Sequence, residues 1–117
     1  MPRDPERRDR GQVAIEYIGF LPILLIVALA AVQLGLIAYT AQQAGTAARA
    51  GARSASLGGP AEADCRAAVS GWLTVTGCPP SYGAKEVTVT ATVEIPSLVP
   101  GWRLDPAVKR ATMPLDH

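Results

Sequence analysis

From Tyr17 to Ala48 the chain carries no charged side chain, and every Lys, Arg, Asp and Glu lies outside that stretch. Its first 23 residues, Tyr17 to Tyr39, are almost uniformly apolar, with Gln33 the only strongly polar side chain. As a helix that run would reach about 34 Å at 1.5 Å per residue, enough to cross a hydrocarbon core of about 30 Å. Tyr17 and Tyr39 bracket it, where aromatic rings settle at the two interfaces of a bilayer. Pro22 is near its start, where it bends a helix rather than breaking it. A transmembrane helix over 17–39 follows. Thr40 to Leu57 is rich in alanine and free of proline, so helical character is expected to continue until Gly58-Gly59-Pro60 stops it.

The pattern changes after that stop. Pro60-Ala-Glu-Ala-Asp opens a second helix, with acids near its positive end. Cys65, Ala68, Val69, Trp72 and Leu73 fall at helical spacing and define an apolar face, and Gly77, Pro79 and Pro80 are expected to end the helix. In Val87–Ile95 the period becomes two. Val87, Val89, Ala91, Val93 and Ile95 alternate with Thr88, Thr90, Thr92 and Glu94, as in a half-buried antiparallel strand. Pro96 stops it, Pro100-Gly101 marks a turn, and 107–113 is a weaker partner strand. The fold class is therefore α+β. A long N-terminal transmembrane helix extends out of the membrane, and a small domain with one helix and an antiparallel hairpin or small sheet follows.

Composition narrows the function. In 117 residues, 11 basic and 10 acidic side chains leave a net charge of +1, with no basic face to follow a phosphate backbone, so nucleic acid is not an expected partner. Once the apolar run and the segment before it are set aside, under 80 residues remain, a size at which one core is marginal and a staple is often needed. Arg3, Arg7, Arg8 and Arg10 precede the run closely, whereas Arg49 and Arg53 follow it at a distance. That asymmetry keeps the N-terminus in the cytoplasm and sends the C-terminal part across. A secretory signal cleaved within 44–50 is the alternative, although the run is too long for an ordinary signal core.

The junction before the run reads Arg10-Gly11-Gln12-Val13-Ala14-Ile15-Glu16-Tyr17. A short charged leader ends in glycine, four uncharged residues and a carboxylate follow, and then an aromatic opens the span. This resembles the cleavage site of type IV prepilins. Gly11 and Gln12 would flank the scissile bond, Glu16 would be the family's glutamate, and Tyr17 the aromatic of the tight-adherence branch. A carboxylate deep in hydrocarbon costs about 2.5–3.5 kcal/mol. An amine freed on residue 12 would offset that cost. The plainer reading of Glu16 is an interfacial acid complementing the helix dipole.

Further along, Ala41, Gly45, Ala48, Ala52 and Ala55 continue a three-and-four ladder begun by Ala31, Leu34 and Ala38. The ladder gives a seam of small residues suited to close helix packing in lipid, or simply a bias toward alanine. Together with the run Ala47-Ala48-Arg49-Ala50-Gly51-Ala52-Arg53, the order of features resembles TadE-like proteins of the tight-adherence pilus system. Ala50 stands where many members carry an acid. The resemblance implies a leader over 1–11, a pilin-like helix over 12–57 and an extracytoplasmic domain over 58–117. It implies as partners a prepilin peptidase, the major pilin and other minor pilins or pseudopilins, the inner-membrane assembly platform and membrane lipid. The alternative is an uncleaved, single-pass, membrane-anchored binding domain.

Cys65 and Cys78 are the only cysteines. Export, even number and small domain size favour a disulfide over two reduced thiols. No metal site is expected, since His117 is the only histidine. No catalytic constellation and no cofactor motif stands out; Glu62 and Asp64 read as helix-start acids. Trp72 and Trp102 are expected in the core, with an exposed contact as the alternative.

Overall fold

The structure, a computed structural model, describes the backbone of residues 5–115 and the side chains of residues 12–115. Arg3 lies outside the described residues, as do the side chains of Arg7, Arg8 and Arg10. The elements are α1 (Pro5–Ser56), α2 (Ala61–Ala67), β1 (Val75–Gly77), β2 (Pro80–Tyr82), β3 (Glu86–Val93) and β4 (Ala107–Pro114). The architecture is the expected α+β one: a long apolar helix followed by a small antiparallel sheet and a short helix.

The chain divides into two compact units, residues 1–33 and 34–117. The described residues of the first, from Pro5 onward, are all helix. Its large apolar side chains are exposed, among them Ile18, Phe20, Leu25 and Val32. The apolar window of α1 has a mean hydropathy of 2.6, and its length and composition suffice to cross a membrane.

The second unit begins within α1 and includes everything after it. β3 is the centre of the sheet. β4 pairs with it antiparallel from Val93↔Ala107 to Glu86↔Pro114. β1 and β2 pair with the same strand at its two ends, Val75↔Val93 and Pro80↔Val89. Since β4 covers one edge of β3 throughout, β1 and β2 share the other as one interrupted strand. The alternation seen in the sequence is realised: Val87, Val89, Ala91 and Val93 are fully buried, while Thr88, Thr90 and Thr92 are half-buried. Each such valine contributes about 1.5–3 kcal/mol.

The C-terminal half of α1 lies over that face. Thr40, Ala44, Ala47, Ala48, Ala52 and Ala55 are fully buried there. Gly51 shows why the strip is small. A Cβ at Gly51 would stand 2.9 Å from Val89 Cγ1, 3.1 Å from Cys65 Cβ and 3.2 Å from the Ala61 carbonyl oxygen. α1 ends as expected. Gly58 adopts a φ of 75°, its N–H donates to the Ala55 carbonyl, and the Gly59 N–H donates to the Ser54 carbonyl at 2.7 Å. That pair of bonds is a Schellman cap.

Two expectations fail. α2 stops at Ala67 instead of continuing through Leu73. The chain from Thr74 is β-branched and is drawn into the sheet as β1, while the Ser70 N–H is taken by the Gln43 side chain. Val69 and Leu73 still reach the core, so the apolar face was right and the helix that carries it too long. Trp72 and Trp102 are outside the core, 58% and 49% exposed.

Cys65 and Cys78 form a disulfide joining α2 to the link between β1 and β2, with both residues fully buried. Closing a loop of separation 13 stabilises the fold by about 3 kcal/mol on the chain-entropy model.

Gly51→Ala should lower stability by about 1–3 kcal/mol, overpacking outweighing the gain in helix propensity. Gly45→Ala, whose Cβ would meet only side-chain atoms at 3.6 Å and beyond, should be neutral or stabilising by up to about 1 kcal/mol. Urea unfolding of the detergent-solubilised protein measures both.

Candidate processing and assembly site

The junction singled out in the sequence lies on α1, which runs helical through Gly11. Gln12, Glu16 and Tyr17 are exposed. Glu16 has no hydrogen-bond or ion-pair partner among the described residues, and Tyr17 is 61% exposed. Positions 12 and 16 are one turn apart, about 6 Å along the axis on one face. Helical side chains lean toward the N-terminus, so a carboxylate at 16 is aimed at the backbone nitrogens of the preceding turn. If the chain were cut before residue 12, the new amine and the positive end of the helix dipole would both lie in that direction. Val13, Tyr17, Phe20 and Ile23 line the same side as Glu16. The carboxylate is thus set in an apolar surface with no built-in counter-charge among the described residues, an arrangement that a cation from elsewhere would satisfy.

The four small residues proposed for helix packing divide in two. Ala48 and Ala52 are fully buried in the core of their own unit. Ala41 and Gly45 flank that strip half-buried, and Gly45 is near Lys109 and Arg49. Ala31, Leu34 and Ala38 remain exposed. The buried face is turned slightly from the ladder, toward Thr40, Ala44 and Ala47. Among the described residues no group of three or more His, Cys, Asp or Glu could hold a metal ion.

One cluster went unseen in the sequence. The rings of Tyr39 and Trp72 stack 5.6 Å apart with planes 6° from parallel. The Tyr39 hydroxyl lies 2.7 Å from Ser70 Oγ. Ser70 in turn donates to Gln43 Oε1 through its backbone N–H at 3.0 Å and its hydroxyl at 3.2 Å. Since the Ser70 proton goes to Gln43, Tyr39 is the donor in the first bond. The aromatics were each visible, one closing the span and one on a helix face. Their pairing was not, because the contact joins residues more than thirty positions apart across a chain reversal.

The family model described as TadE-like protein matches residues 11–53 of the chain. No curated protein and no solved structure shows a significant match.

Gln43→Leu should cost about 1–3 kcal/mol, because the Ser70 N–H loses its acceptor. Tyr39→Phe, which keeps the stack and removes one exposed hydrogen bond, should cost about 1 kcal/mol or less. Unfolding of the two variants in parallel tests the ranking.

Proposed function

We propose that this chain, TadE-like over residues 11–53, is a minor pilin or pseudopilin that a prepilin peptidase processes after Gly11 and that contributes to assembly of a tight-adherence pilus or related secretion apparatus. The observation that carries the reading is where the family match begins: its first residue is Gly11, the proposed cut, and it runs through the apolar span to the alanine-rich strip. The TadE-like family is structural rather than catalytic, and the long apolar helix suits a membrane anchor.

In this mechanism, cleavage exposes an amine on Gln12 and removes the charged leader. Glu16 then recruits a cation in lipid, the amine of its own chain or of a neighbouring subunit, since desolvating a lone carboxylate there is costly. The N-terminus begins in the cytoplasm, the span crosses once, and the disulfide-stapled unit stands outside the membrane. The inner-membrane assembly platform, the major pilin and companion minor pilins or pseudopilins are the partners of this state. The exposed apolar side chains of residues 13–32 supply the lateral surface for them.

Intact mass of the protein extracted from membranes with an active prepilin peptidase should correspond to a chain starting at Gln12, and Gly11→Ala should retain the leader. A start at Met1 or Pro2 in wild type would sink the reading in favour of an uncleaved anchored domain. Glu16→Ala should still be cut but should assemble poorly; normal assembly would dismiss the pairing of amine and carboxylate.

A further inference from the structure

Residues 34–39, Leu-Gly-Leu-Ile-Ala-Tyr, are the last of the apolar run and belong to the same compact unit as the sheet. Within that unit α1 runs antiparallel to β3: Gly45 is beside Lys109, which pairs with Ala91, and Gly51 lies against Val89 nearer the strand's start. The end nearest Tyr39 is therefore the one where β3 finishes and β4 begins. The segment 94–106 closes that end, because it joins the paired residues Val93 and Ala107.

Both tryptophans of the chain are at this end. Trp72 is held against Tyr39 by the 5.6 Å stack, one ring away from the position where the apolar run stops. Trp102 lies in the 94–106 segment and lines a shallow concavity with Thr76, Glu94 and Ile95. Their exposures of 58% and 49% are unusual for tryptophan in a unit with so small a core. Amphipathic rings of this kind settle at the level of lipid headgroups, apolar body inward and N–H or O–H toward water. The charged neighbours in the segment, Glu94, Arg103 and Asp105, are mixed in sign, so a specific pull toward anionic lipid is absent.

We propose that this end of the unit is a lipid-contacting rim, in which Tyr39, Trp72 and Trp102 seat in the headgroup layer of the leaflet from which the span exits. The proposal rests on the membrane-anchored reading above. The chain's continuity selects lipid over a protein partner: no partner has to be recruited to a surface that the span itself delivers to the bilayer. The rim would fix the height of the unit over the membrane until the span is extracted.

The full chain, reconstituted in vesicles of phosphatidylcholine alone and of phosphatidylcholine with phosphatidylglycerol, tests it. Trp72→Phe and Trp102→Phe each leave one reporter. A nitroxide on the lipid headgroup should quench each tryptophan by roughly twofold more than a nitroxide at the bilayer centre, in both compositions. If the protein floats with the vesicles and resists alkaline carbonate but neither tryptophan is quenched, the rim is overturned while the anchor stands. Shielding from acrylamide without quenching by labelled lipid would mean a protein surface, such as a second copy, and also overturns it. Quenching confined to the anionic vesicles would contradict the aromatic basis. Failure to float would remove the anchor and the rim together.

Discussion

The lack of a side chain at Gly51 lets α1 lie with its backbone against Val89, Cys65 and Ala61, and the rest of the unit is arranged around that approach. Alanines at 44, 47, 48, 52 and 55 extend the contact along the helix without pushing the sheet away. The bulk of the core then comes from the other side, from Val87, Val89 and Val93. Division of labour of this kind suits a very small domain. It cannot bury many large side chains, so it gains dispersion energy from closeness and entropy from the Cys65–Cys78 bond.

The same helix meets two different demands along its length. From Val13 to Val32 its large apolar side chains are exposed; from Thr40 onward its inward side chains are small and buried. The first composition suits hydrocarbon, which accepts bulky side chains in every direction. The second suits one face against a sheet. Tyr39 stands at the change, stacked on Trp72, with Gln43 capturing the Ser70 backbone one turn later. The change in composition along the helix thus coincides with the contacts that the domain makes to it.

Features governed by local chemistry were legible in the sequence. The stop at Gly58-Gly59 needs only a positive φ and no Cβ, and the inward positions of β3 follow from a strict period of two. The cysteine pairing had one solution within the chain. The glycine, glutamate and aromatic at 11, 16 and 17 carry the resemblance by their order, and the family match begins at the first of them. Features that depend on the chain turning back were not legible. α2 gives way to β1 because β3 offers an edge to Val75, which no window around residue 70 reveals. Trp72 fits an apolar face by spacing, yet the face narrows once the helix ends and the ring finds Tyr39 instead. The small-residue ladder was visible, but whether its partner is another subunit or the chain's own sheet is a question of tertiary packing. Ala48 and Ala52 answer it for the distal half, on their own chain.

In the proposed membrane-anchored state, α1 is one helix held by two independent environments, lipid before Tyr39 and its own domain after it. Hydrogen exchange along α1, followed in lipid nanodiscs through a urea titration, tests it directly. Amides of residues 44–56 should lose protection together with the sheet at the unfolding midpoint of the domain, while those of 18–32 stay protected well beyond it. Loss of protection over the whole helix at one urea concentration would contradict the account.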